Sequence, residues 1–206
     1  FGYGSLLSNT TGNNVVGLGC FTLKSNTTGS NNTAVGRDCL INNTTASNNT
    51  AVGYQAGYSN TTGTLNAFFG TLAGYYTTSS YNTFTGYKAG YYATGSQNDA
   101  FGVGALSGLS GATTGTLNTA LGANALYQNS SGSFSVAIGR LALSGVLTGS
   151  QNVAVGNASQ AGTTSGTLNT AVGEETLYTN STGSYNTAIG GLALLNNTTA
   201  SNNTAV

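Results

Sequence analysis

Histidine is absent from this sequence, and with it every Ser-His or Cys-His pair that could activate a nucleophile. Proline, methionine and tryptophan are absent too, and charged residues make up only 4% of the chain against about 25% in typical soluble domains. Lys24, Arg37, Lys88 and Arg140 balance Asp38, Asp99, Glu174 and Glu175 to a formal charge of zero. Four cations cannot neutralise a run of phosphates, so nucleic-acid binding is excluded as a function class. The basic patch that an anionic membrane surface attracts is missing. No apolar run approaches the roughly 20 residues that span a bilayer, so no membrane insertion is expected of this segment. Glu174 and Glu175 are adjacent and cannot flank a substrate as a glycosidase pair does. Isolated carboxylates without histidine offer no metal cluster, and the calcium-binding G-G-x-G-x-D repeat is missing. The chain therefore reads as a non-enzyme with no cofactor. No signal peptide is visible, and Phe1 already lies inside a motif, so the segment is expected to be cut in mid-repeat at both ends.

What is abundant is Gly, Asn, Thr and Ser, a composition compatible with disorder. Periodicity argues otherwise. NNTTASNNTAV at 42–52 returns letter for letter at 196–206. The motif N-[TV]-A-[VIL]-G runs from end to end, with its glycine read at Gly2, Gly17, Gly36, Gly53, Gly70, Gly86, Gly102, Gly122, Gly139, Gly156, Gly173 and Gly190. The spacings are 15, 19, 17, 17, 16, 16, 20, 17, 17, 17 and 17. A period near 17 residues is too short for a helix pair and suits one turn of a β-solenoid. Residues 1–206 are thus read as one continuous all-β segment, a parallel β-solenoid or β-roll of about twelve coils.

Within a coil, short bursts of Val, Ile, Thr, Phe and Tyr are bounded by Gly and Asn, as strands are. Four residues before the glycine stands Asn32, Asn49, Asn66, Asn82, Asn98, Asn118, Asn152, Asn169, Asn186 or Asn203, with Ser135 the exception. Stacked about 4.8 Å apart, these amides are expected to donate to one another in a ladder. The residue before the glycine is apolar and the one before that is usually Ala, so the strand is expected to be occupied on both faces. Ala-Leu three and four residues later (105–106, 125–126, 142–143, 193–194) reads as a second short strand. Asn-Thr-Thr-Gly or a relative (9–12, 26–29, 60–63, 180–183) then makes the return turn. Arg37, Asp38, Lys88, Arg140, Glu174 and Glu175 fall just after the glycine, where a solvent-facing corner is expected.

The segment FSVAIGRLA (134–142), with QNVAVG (151–156) and YNTAIG (185–190), resembles the head repeat of trimeric autotransporter (YadA-like) adhesins, N-S-V-A-I-G-x-x-S-x-A. Similar repeats occur in phage-tail-type fibres. The resemblance covers essentially the whole chain. It implies a left-handed β-roll, a homotrimer and display at a bacterial surface, outside the cell, for adhesion to a host-surface protein or glycan. This sequence departs from it in its longer coils and in Ala where the family often has Ser. The alternative is a purely structural extracellular filament, glycosylated or not, or a phage-type fibre.

Three groups of residues are candidates for more than scaffolding. Tyr54, Tyr58, Tyr75, Tyr76, Tyr87, Tyr91 and Tyr92 cluster where Ala-Leu becomes Ala-Gly-Tyr (56–58, 73–75, 89–91) and Phe68 and Phe84 replace Ala. They form either a contact platform or a cover over the space the missing Leu leaves. Cys20 and Cys39 each stand three residues after the glycine as framed above, and so in neighbouring coils. They are read either as a disulfide or as small apolar fillers. Asn9, Asn26, Asn31, Asn42, Asn43, Asn48, Asn60, Asn129, Asn157, Asn180, Asn196, Asn197 and Asn202 begin N-x-[ST] sequons and are read either as glycan acceptors or as plain turn residues. Ice binding through a Thr column (Thr33, Thr50, Thr119, Thr170, Thr187, Thr204) is a weaker reading, since a second column is not evident.

Overall fold

A computed structural model describes residues 1–108 and 113–206. The strands are β1 (Val16–Leu18), β2 (Thr33–Val35), β3 (Thr50–Val52), β4 (Ala67–Phe69), β5 (Thr83–Thr85) and β6 (Asp99–Phe101). They continue as β7 (Thr119–Leu121), β8 (Val136–Ile138), β9 (Val153–Val155), β10 (Thr170–Val172), β11 (Thr187–Ile189) and β12 (Thr204–Ala205). All are parallel and each pairs with the next in chain order, so the twelve form one sheet. The chain is an all-β solenoid with about eleven turns between its first and last strands, and the described residues contain no helix.

Each strand from β1 to β11 buries its middle residue and turns its two outer residues away from the core. Three-residue strands allow only this alternation. Ala34, Ala51, Phe68, Phe84, Ala100, Ala120, Ala137 and Ala154 therefore form a fully buried column. Packed against it are Leu23, Leu40, Leu106, Leu126 and Leu143 from the opposite wall. A polar coil breaks this core. Gln160 stands in the Leu column with no exposure, and Ala171, Leu177 and Ala188 form a separate cluster beyond it.

Three sequence expectations change. In the second coil the register pairs Gly17 with Ala34 and Leu18 with Val35. The corner glycine is therefore Gly19, and Gly17 stands where other coils have Ala. The spacings 15 and 19 thus become 17 and 17. Ala-Leu is no second strand. Ala105 and Leu106 are both fully buried, as are Ala125 and Leu126, and adjacent residues of a strand cannot face the same way. The chain manages it with left-handed backbone at alternate residues, as at Asp38 (φ 55°) and Leu40 (φ 47°), so the segment is a tight double turn. Asp38 is not on an open corner either. Its side chain is 11% exposed and ion-pairs with Arg37 at 3.3 Å, leaving only Arg37 in solvent.

The corner glycines have φ near +134°, as at Gly36, Gly70 and Gly86. A Cβ on Gly36 would lie 2.4 Å from the carbonyl oxygen of Gly53 in the next coil. Glycine is required there by both backbone angle and space.

Candidate functional site

The predicted Asn ladder forms, but its main rung is backbone to side chain. The Asn49 N–H donates to Asn32 Oδ1 at 2.9 Å, and Asn66 to Asn49 likewise. The bonds continue through Asn82, Asn98 and Asn118 to Ser135, whose hydroxyl accepts from Asn152. Asn169, Asn186 and Asn203 extend it. Each amide nitrogen is free to hold the return turn, as Asn49 Nδ2 does by donating to Gly63 O at 2.9 Å. Both side-chain polar atoms of each buried Asn in this ladder thereby find a partner.

A second ladder lies inside the return turns. Asn26 Nδ2 donates to Asn9 Oδ1 at 2.8 Å and to Gly29 O at 2.9 Å. Asn43 repeats both bonds to Asn26 and Ala46, and Asn60 to Asn43 and Gly63. The sequence signal was available: these asparagines recur every 17 residues while their neighbours alternate between Thr and Ser. The glycan reading is corrected at Asn26, Asn43, Asn60, Asn129 and Asn180, which are buried with their amide nitrogens engaged. Of the other sequons, Asn31, Asn48, Asn196 and Asn202 are exposed, and Asn9, Asn42, Asn157 and Asn197 are half-buried.

Cys20 and Cys39 are both free. With Gly19 as the corner, Cys20 stands one residue past it, in the column of Arg37, and Cys39 three past Gly36, in the column of Thr22. They do not stack, which removes the geometric basis for a disulfide. Cys39 is fully buried and its thiol donates to Ala51 O at 3.3 Å. Burial pushes it up to about 12, so it stays a thiol, and thiols are poor nucleophiles. At pH 8 a disulfide-forming reagent such as dithionitrobenzoate is expected to titrate one thiol, Cys20, in the native protein. Two are expected in denaturant; two rapid equivalents without denaturant would contradict the buried placement.

The aromatic cluster is a real structure, and not a cover over a void. The space of the missing leucines is filled by Phe68 and Phe84. A Cβ on Gly57 or Gly74 would lie 2.7 or 2.6 Å from the Phe68 ring, and one on Gly90 would lie 2.3 Å from the Phe84 ring. Phenylalanine in the strand column thus demands glycine in the Leu column. The tyrosines, displaced outward, stack in two columns. Tyr58, Tyr75 and Tyr91 have ring centroids 4.8 and 5.2 Å apart, and Tyr76 and Tyr92 stack at 5.0 Å. The columns meet edge to face, as Tyr75 and Tyr76 do at 4.6 Å. Ring spacing close to the 4.8 Å coil rise is what parallel in-register side chains impose. Burial, then the neighbouring phenols, raise Tyr75 and Tyr91 above the ordinary tyrosine range, holding both neutral. Tyr54 and Tyr87 lie one residue past their corner glycines, outside the two columns. Lys88 sits over Tyr87 and Tyr91 at 5.4 and 5.3 Å from the ring centroids. Next to it opens a cavity of about 380 Å³ lined by Tyr91, Tyr92, Ser107, Asn124 and Tyr127.

No family model matches this chain, and no curated protein or solved structure shows significant similarity to it.

Proposed function

We propose that this chain is a segment of a non-enzymatic extracellular fibre, an adhesin-like rod that self-associates as a homotrimer and works by multivalent contact. The observation that carries the reading is the outward face of the sheet. Leu18, Phe69, Phe101, Leu121, Val172 and Ile189 form one apolar column there, each 37–47% exposed. Beside it runs a column of Thr and Val, and beyond that Leu65, Tyr81, Leu117, Phe134, Leu168 and Tyr185 are 41–60% exposed. Asp99 is the single charge on the strands; the other seven charged residues all lie in the turns.

A stripe of apolar side chains about 48 Å long, broken at Thr85, marks an interaction surface. Its side chains repeat at the coil rise, and another rod of identical rise stays in register along the whole length. A second copy of this chain is the partner that fits. Rods that each bury little per coil gain by sharing such a face. The tyrosine columns lie in the double turns, away from this face, and so stay open for a host-surface protein or glycan; that favours the adhesin-like rod over a bare filament.

Native mass spectrometry tests the reading. Wild type is expected at three times the 20.5 kDa chain, and the double variant Val172→Lys/Ile189→Lys at one chain with unchanged circular dichroism. A single-chain wild type, or a double variant that still assembles, would sink the proposal.

A further inference from the structure

The tyrosine columns stop abruptly. Tyr58, Tyr75 and Tyr91 occupy one position of successive coils, the residue after the left-handed Gly or Leu. The hydrogen bonds from Gly90 N to Ala105 O and from Leu106 N to Ala125 O carry that position on to Ser107 and then to Tyr127. A tyrosine rung is missing at Ser107, and the neighbouring column loses its rung at Gly108. Tyr75 carries a stacked ring on both faces, and Tyr58, Tyr76, Tyr91 and Tyr92 on one; beyond their stacked partners, Tyr91 and Tyr92 line the cavity.

Two coil rises separate the Tyr91 and Tyr127 positions, about 9.6 Å. A ring held between two aromatic faces needs about 7–8 Å, twice a van der Waals contact. Among the described residues the gap therefore has room for one ring. Its volume, about 380 Å³, lies within the range of small-ligand sites. The Ser107 hydroxyl, the Asn124 amide and the Lys88 ammonium contribute polar groups to its lining, which also includes Val103. Among the described residues no carboxylate pairs with Lys88. A pyranose ring matches this pattern, with C–H faces for the tyrosines and hydroxyls around its edge. A phenol or indole would set an apolar edge against those three groups.

We propose that the gap at Ser107 binds one ring of an acidic saccharide, a uronate whose carboxylate is met by Lys88. The inference rests on the reading of the rod as a contact surface and names the chemistry of what it contacts. Charge-assisted contact at Lys88 makes binding selective and salt-dependent.

Isothermal titration calorimetry of the full chain with a galacturonate tetramer, and with cellotetraose as the neutral probe, tests it. The uronate is expected to bind saturably and at least tenfold more tightly than cellotetraose. Ser107→Tyr, which supplies the missing rung, is expected to weaken it at least tenfold while leaving the thermal midpoint unchanged. Lys88→Gln is expected to abolish the preference for the acidic probe and keep the weak neutral binding. Should Ser107→Tyr fold poorly, Tyr127→Leu carries the same expectation from the other wall. Uronate binding unchanged in the rung and wall variants, no saturable binding to wild type, or equal affinity for both probes would each overturn the proposal. So would a tyrosine-containing tetrapeptide that binds more tightly than the uronate. The assembly state of the same samples is read by native mass spectrometry, so loss of saccharide binding with the trimer intact refutes this site alone.

Discussion

Gly53→Ala is expected to cost about 3–5 kcal/mol. Gly53 has φ +141°, and the added Cβ would lie 2.4 Å from the carbonyl oxygen of Gly70. Two penalties act together. The backbone angle is one that residues with a Cβ scarcely adopt, and relief of the clash requires the neighbouring coil to move. That coil is held on its other side by the corresponding corner, so displacement spreads along the stack. Gly191→Ala is the control: its φ is not in the left-handed region and its nearest neighbour, Glu174 O, is 3.9 Å away. Urea denaturation should place the control within about 0.5 kcal/mol of wild type. A Gly53→Ala variant as stable as the control would show that the corners are not what fixes the coil spacing.

Phe84→Ala is expected to cost about 3–5 kcal/mol by leaving a cavity in the fully buried column. Gly90→Leu alone should be comparably damaging, since its Cβ would lie 2.3 Å from the Phe84 ring. The two together are a different matter. Gly90 has φ 61°, close to the φ 50° of Leu106 in the same column of the next coil. The double variant rebuilds the Ala…Leu packing of an ordinary coil and should return to within about 1–2 kcal/mol of wild type, a residue of lost contact between Phe84 and Phe68, whose ring centroids are 5.7 Å apart. Such coupling is expected only where residues share one cavity. Additive losses, measured by the same denaturation series, would refute the exchange of Phe and Gly for Ala and Leu.

Much of this molecule is written along the chain. The 17-residue period, the strand at Thr-Ala-Val, the Ala column inside it and the Asn32-to-Asn203 ladder are legible because each depends on a residue type recurring at one interval. That Ala and Val take opposite faces follows from strand alternation, which needs no tertiary information. The outward apolar column was legible as a pattern, but the open face it forms was not.

What only the tertiary structure decided depends on bonds between residues a whole coil apart. The pairing of Gly17 with Ala34 reset the frame of the second coil and so separated Cys20 from Cys39. The motif text alone allowed Gly17 or Gly19 as the corner, and the sheet register chose. Left-handed backbone at Leu106 and Leu126 placed them inside beside Ala105 and Ala125. A non-glycine residue rarely takes that conformation unless its surroundings impose it, so local propensity pointed to a strand instead. The asparagines of Asn-Thr-Thr-Gly read as exposed turn residues, and only bonds from one turn to the next show Asn26 and Asn43 to be interior. Likewise the exchange of leucine volume for Phe68 and Phe84, and the empty rung at Ser107, are relations between neighbouring coils. Period and strand are properties of one repeat; register, corner geometry and shared volume belong to the stack.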